Sequence, residues 1–147
     1  MKILFICHAN VCRSFMAQKI LKKELPSADV FSRGLYVDPE ISVPEKVKDF
    51  LRQQKIEYSP HVATQLQKQD LETADFIFCM EVSHFDFLCD KYAQYTDKIW
   101  LLNEFAFGEE TDMEDPIFLS GSSFIKQAQL LQKAVLKVAE KLKQHTF

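Results

Sequence analysis

At 147 residues, 47% of them apolar and thirteen of those phenylalanine, the chain is the size of one domain and too rich in apolar side chains to be disordered. A net charge of −3 and a pI near 5.8 argue against nucleic-acid binding, which usually needs a basic face. No stretch approaches about twenty uninterrupted apolar residues and the first six are too short for a secretion signal, so a cytoplasmic setting away from membranes is expected; four cysteines without metal-ligand spacing fit reduced thiols.

The first element, Lys2 to Ile6, is short and nearly all apolar, the pattern of a buried central strand in a parallel sheet. Cys7-His8-Ala9-Asn10-Val11-Cys12-Arg13-Ser14 follows. Apolar residues at helical spacing, Met16, Ala17, Ile20, Leu21 and Leu25, then predict a helix from about Ser14 to Leu25, stopped by Pro26. A loop that opens a helix aims several backbone N–H groups into one concavity and adds the positive end of the helix dipole, so His8 to Arg13 form an anion-binding loop. Arg13 can close over it with a fork of donors matched to two phosphate oxygens. Cys7 at the floor is then favoured as thiolate and placed to attack phosphorus. Asn10 tolerates a left-handed backbone and is expected to support the loop, and Ser14 is placed both to cap the helix and to donate to the Cys7 sulfur.

Asp29 to Ser32 predicts a second strand, left through Arg33-Gly34-Leu35-Tyr36. Pro44 stands at the first turn of a helix carrying Val47, Phe50 and Leu51. Asp75 to Met80 is a continuous apolar third strand, Phe85, Leu88 and Cys89 mark a helix, and Lys98 to Leu102 is a fourth strand. With right-handed crossovers this alternation gives an α/β fold of three layers, αβα, around a central four-stranded parallel sheet, with the phosphate-binding loop after strand one. Leu102 to Ser120 is the longest stretch without a pattern, and such a loop is usually functional. Glu104, Glu109, Glu110, Asp112 and Glu114 read as a solvated acidic surface, whereas Asp115 is followed by Pro116, which stiffens the turn and fixes where the carboxyl points. Expelling a phenolate needs a proton, and a positioned acid raises the rate by about 10²–10⁴. The closing helix, Ser122 to Gln144, puts Phe124, Ala128, Leu131, Val135, Val138 and Leu142 on one face.

The loop from Cys7 to Ser14, read with Asp115-Pro116, resembles the low-molecular-weight protein tyrosine phosphatases, whose signature is Cys-x5-Arg-Ser directly after the first strand. The resemblance implies hydrolysis of phosphotyrosine in a protein substrate through a cysteinyl phosphate. Cys7 is then the nucleophile, Arg13 the phosphate clamp, Asp115 the general acid and later base, and inorganic phosphate the product, with no metal or cofactor. Ser32 bonds into the loop, and His61 pairs with Ser14 to help tune the cysteine, while Thr64 stands where the family usually has an arginine. Tyr36, Ile117 and Phe118 line the substrate cleft, and Tyr36 reads equally as an ordinary loop aromatic. Cys12 is either a redox partner that traps an oxidised Cys7 as a disulfide or a small apolar residue behind the loop. A monomer or weak dimer is expected.

The chain departs from the family pattern at Ala9, where glycine is common, and at Phe15, where proline is. Ala9 is expected to strain a left-handed position by about 1 kcal/mol or to narrow the pocket. Phe15 gives up a pre-set φ at the helix start. His8 adds a titrating charge if it faces the cleft, and a rim position is equally open. Two rival functions stand beside the first: a thioredoxin-coupled arsenate reductase that relays a disulfide through Cys79 and Cys89, and a degenerate module that holds phosphotyrosine without turnover.

Overall fold

Successive side chains of a strand point to opposite faces. In β1, Lys2–Cys7, both sets are apolar: Ile3, Phe5 and Cys7 join the core on one face of the sheet, Leu4 and Ile6 the core on the other. A strand buried on both sides belongs inside a parallel sheet. In the computed structural model, which describes residues 1–144, β1 is flanked by β2, Asp29–Gly34, and by β3, Phe76–Cys79. The fourth strand, β4, Ile99–Leu101, lies outside β3, and all four are parallel. Register sets Cys7 opposite Gly34 and Ile6 opposite Cys79, so the three strands end almost level where β1 gives way to the loop.

Helices cover both faces. The Ile3–Phe5–Cys7 side is packed by α1, Arg13–Glu24, α2, Glu45–Gln53, α5, Leu102–Phe107, and α6, Gly121–Gln144, in a core that includes Phe15, Phe50, Phe78 and Phe124. The Leu4–Ile6 side is covered by α3, Lys68–Thr73, and α4, Val82–Lys91, through Leu71 and Leu88. The architecture is therefore the expected three-layer αβα fold on a four-stranded parallel sheet. The chain leaves β1 toward α1 on one face and β3 toward α4 on the other, and the divergence opens a crevice at the carboxyl ends of these two neighbouring strands. Open α/β sheets bind ligands at such a switch point.

Residues 102–120 are not one unpatterned loop, as expected from the sequence. Leu102–Phe107 forms α5, which buries Leu102 and Ala106 one turn apart and ends on Gly108 in the left-handed conformation (φ 73°), and Pro116–Phe118 forms a 3-10 turn. Two turns carry too few residues for their period to stand out. The same holds for α3, unexpected from the sequence, whose single buried residue is Leu71 and whose start is fixed by a capping box between Gln67 and Asp70. Pro44 sits just ahead of α2 at its N-cap, not within its first turn. Among the described residues no helix is long and apolar enough to cross a membrane.

Candidate active site

Asn10 organises the loop between Cys7 and Arg13. It is fully buried with φ 59°, a left-handed conformation that Asn tolerates better than most residues. Its Nδ2 donates to Ser14 Oγ at 2.8 Å and to Ser32 Oγ at 2.9 Å, and its Oδ1 accepts from the Thr64 backbone N–H at 2.9 Å. Its own carbonyl accepts from His61 Nε2 at 2.7 Å. One residue thus ties α1, the end of β2 and the segment through Thr64 to the loop. Ser14 Oγ lies 2.9 Å from Cys7 Sγ. Because Asn10 already donates to that oxygen, the hydroxyl proton is free to point at the sulfur.

Several expectations change here. His61 bonds the Asn10 carbonyl and not Ser14; since a carbonyl only accepts, the proton of the neutral ring sits on Nε2. Burial pushes the His61 pKa down, helped by Lys19 and Arg33 and opposed by the bond to Asn10. Ser14 does not cap α1. Cys12 occupies the N-cap without a side-chain bond, and Ser14, one residue inside the helix, turns its hydroxyl into the loop. The left-handed loop residue is Asn10 and not Ala9, so the expected backbone strain at Ala9 is absent. Phe15 is fully buried, its ring centroid 4.4 Å from that of His61 and 5.8 Å edge-on from Tyr58, so it braces the histidine that holds the loop.

Arg13 is 1% exposed. Nη1 donates to the Met113 carbonyl at 2.8 Å, and Nη2 lies 2.7 Å from Glu81 Oε2 and 3.5 Å from Asp115 Oδ2. Nε is buried with no hydrogen-bond partner among the described residues, a donor they leave uncommitted. The guanidinium is therefore anchored from behind by Glu81 and Met113 rather than swinging as a lid. Asp115 is at the N-cap of the 3-10 turn, where its Oδ1 accepts from the Ile117 N–H at 3.1 Å. The fold thus brings the carboxylate of the Asp-Pro turn to the arginine of the Cys7 loop.

Residues 2–146 match the family described as Low molecular weight phosphotyrosine protein phosphatase. The chain belongs to this family. It is a protein phosphatase, a phosphoric monoester hydrolase. A protein-arginine-phosphatase from Geobacillus stearothermophilus is 30% identical over 142 residues, 96% of this chain and 95% of that one. Among solved structures, a low molecular weight protein tyrosine phosphatase from T. tengcongensis aligns with a TM-score of 0.87 at 33% identity, covering 96% of this chain and 99% of that one. The YwlE arginine phosphatase, as a cysteine-to-serine mutant with a phosphorylated active site serine, reaches 0.90 at 26% identity, covering 98% and 97%.

Aromatic rings stand beside the Cys7 loop and on the Asp115 turn. The His8 ring lies 5.2 Å from Tyr36 and 6.3 Å from His84 between centroids, and Phe118 stands 97% exposed on the 3-10 turn that follows Asp115, with Ile117 partly buried beside it. Glu81, at the N-cap of α4, was not legible as a site residue. The available signal was its place just beyond the carboxyl end of β3, beside the Cys7 loop. His84 Nε2 is 3.9 Å from Glu81 Oε2, and burial pushes its pKa down, with Glu81 opposing and Arg13 and His8 adding to the shift. Burial, with Asp115 and Cys7 nearby, drives the Cys12 thiol far above the ordinary thiol range, and burial does the same to Cys79 inside β3. Both are poor thiolates, which weighs against the arsenate relay through Cys79.

Proposed function

We propose that this phosphatase hydrolyses phosphotyrosine in protein substrates through a cysteinyl phosphate, with Cys7 as nucleophile, Arg13 as phosphate clamp and Asp115 as general acid and then base. The phosphate dianion enters the loop, takes the uncommitted Nε donor of Arg13 and competes with Asp115 for Nη2. Glu81, the nearer partner at 2.7 Å against 3.5 Å, stays with the guanidinium and keeps it oriented. The displaced Asp115 carboxyl is then available to carry a proton. In the first step the Cys7 sulfur forms a bond to phosphorus as the bond to the tyrosine oxygen breaks, and the Asp115 proton passes to that oxygen. In the second, water attacks phosphorus and gives its proton to Asp115, the sulfur–phosphorus bond breaks, Ser14 stabilises the departing thiolate, and inorganic phosphate leaves. The loop N–H groups and Arg13 bear the charge on the equatorial oxygens throughout.

The observation that carries this reading is the 3.5 Å contact between Asp115 and Arg13, with Cys7 on the same loop. The phosphorylated serine of the cysteine-to-serine YwlE mutant supports a covalent step at the equivalent sulfur. His8, Tyr36 and Phe118 favour a flat aromatic ring above the loop. A second reading, phosphoarginine, is favoured by the near full-length likeness to a protein-arginine-phosphatase and by the Asp115 carboxyl, which suits a guanidinium leaving group once phosphate has displaced it from Arg13. Kinetics on one peptide bearing either phosphotyrosine or phosphoarginine decide between them. Wild type, Cys7→Ser and Asp115→Asn assayed on an aryl phosphate test the roles: both variants should lose turnover. A wild type that binds phosphate without turnover would instead support the binding module.

A further inference from the structure

Apart from the Arg13 contact to Asp115, the hydrogen bonds that hold the acid turn from outside come from one side chain. Lys46, in the first turn of α2, sends Nζ to the carbonyl of Ile117 and, at 2.6 Å, to that of Leu119, while the same ammonium lies 5.3 Å above the Phe124 ring. Ile117 is also the residue whose N–H meets Asp115 Oδ1. One peptide segment is thus gripped at both ends: its amide fixes the carboxyl and its carbonyl is fixed by the lysine. Among the described residues no other element hydrogen-bonds residues 116–119; the turn's own bond runs from the Leu119 N–H to the Pro116 carbonyl. We infer that Lys46 is a positioning residue for the acid step: α2, through Lys46, sets where the turn holds the Asp115 carboxyl relative to the Cys7 loop. The inference rests on the reading of Asp115 as the acid.

The reasoning is geometric. Asp115 must deliver its proton to an oxygen standing above a phosphorus that sits in the Cys7 loop, and an error of roughly 1 Å in such a placement costs on the order of 10²-fold. The loop is fixed from one side by Asn10, His61 and Glu81, but the turn projects from the chain ahead of α6 and has only a short 3-10 span of its own. A charged donor shared by two carbonyls is a stronger tie than a neutral one. Its ammonium sits over an aromatic face, which keeps it in place at little cost in hydration. Loss of the lysine would leave Cys7, Arg13 and the phosphate loop intact while loosening the acid.

That separation defines the test. A general acid matters most when the leaving oxygen is a poor leaving group, so kcat/KM is measured on phenyl phosphate and on p-nitrophenyl phosphate, whose phenolate departs readily without a proton. Lys46→Met is expected to lose about tenfold more on phenyl phosphate than on p-nitrophenyl phosphate, within the range of about 10²–10⁴ that the acid itself supplies. Lys46→Arg, which keeps two donors, should recover most of the difference, and competitive inhibition by inorganic phosphate should be unchanged. In an Asp115→Asn background Lys46→Met should add no further asymmetry. Equal losses on the two substrates, or an asymmetry that persists without Asp115, would overturn the role of Lys46. If Asp115→Asn itself shows no asymmetry, the acid assignment fails first, and the two failures are thereby distinguished. Should the methionine variant not fold, Lys46→Gln carries the same comparison with a shorter, uncharged donor, and a smaller loss in the same direction is expected.

Discussion

Replacing Asn10 tests whether one buried amide builds the loop. In Asn10→Ala the Ser14 and Ser32 hydroxyls each lose a buried donor, costing about 1 kcal/mol apiece net, while the Thr64 N–H, on a more open segment, turns to water. A left-handed alanine adds about 1–2 kcal/mol. The sum, roughly 3–4 kcal/mol, is a large part of the 5–15 kcal/mol of an ordinary domain. Urea unfolding measures it. Asn10→Gly separates the two causes: it loses the same bonds but not the left-handed penalty. Even after the extra unfolded-state entropy of glycine it should be more stable than Asn10→Ala by about 0.5–1 kcal/mol. Both variants should lose more than about tenfold in kcat/KM, because Ser14 is no longer oriented toward the sulfur. An alanine variant within about 1 kcal/mol of wild type, or more stable than the glycine variant, would refute the account.

Gly34 is required by close approach: a Cβ there would stand 2.7 Å from Val37 Cγ2, 3.0 Å from Asn10 Cβ and 3.1 Å from the Ala9 carbonyl carbon. The valine can rotate but the loop backbone cannot, so Gly34→Ala should destabilise by about 1–3 kcal/mol and lower kcat/KM, and a melting temperature equal to wild type would count against this. His61 and His84 are both held below their ordinary value of 6.5, first by burial. The unfolded chain therefore takes up protons near pH 6.5 that the folded one still refuses, so stability falls as pH drops below about 6.5. Urea midpoints at about pH 7.5 and 5.5 should show the fall and His61→Gln should reduce it; the same slope in that variant would exclude His61 as a source. Cys12 can displace the hydroxyl of an oxidised Cys7 only as thiolate, which its burial disfavours. After peroxide, mass spectrometry should find the ratio of Cys7–Cys12 disulfide to Cys7 sulfinic acid rising between about pH 7 and 9, and a constant ratio would contradict this.

What was legible in the sequence follows from how far apart the cooperating residues lie. The strand, loop and first helix are contiguous, so Cys7, Arg13 and the strand-loop-helix turn between them could be read from a single stretch, and Asp115 stood out because proline stiffens the turn behind it. Asn10 and Ser32 each sit beside a recognisable break in the sequence, and the fold joins them by a 2.9 Å hydrogen bond. His61 was found but its partner was not. The choice between the Asn10 carbonyl and the Ser14 hydroxyl depends on which way the loop turns, and the left-handed φ at Asn10 sends its carbonyl to the histidine. Glu81, Met113 and Lys46 were beyond reach for a common reason. Glu81 meets Arg13 only because β3 lies next to β1 in the sheet, and Met113 acts through a backbone carbonyl that any residue would supply. Lys46 likewise donates to two backbone carbonyls, so no partner side chain marks it in the sequence. The groups proposed to react are local or chemically marked, whereas the groups that hold them act through sheet order and peptide oxygens. An error in either would leave Cys7, Arg13 and Asp115 present in the chain but not in one place.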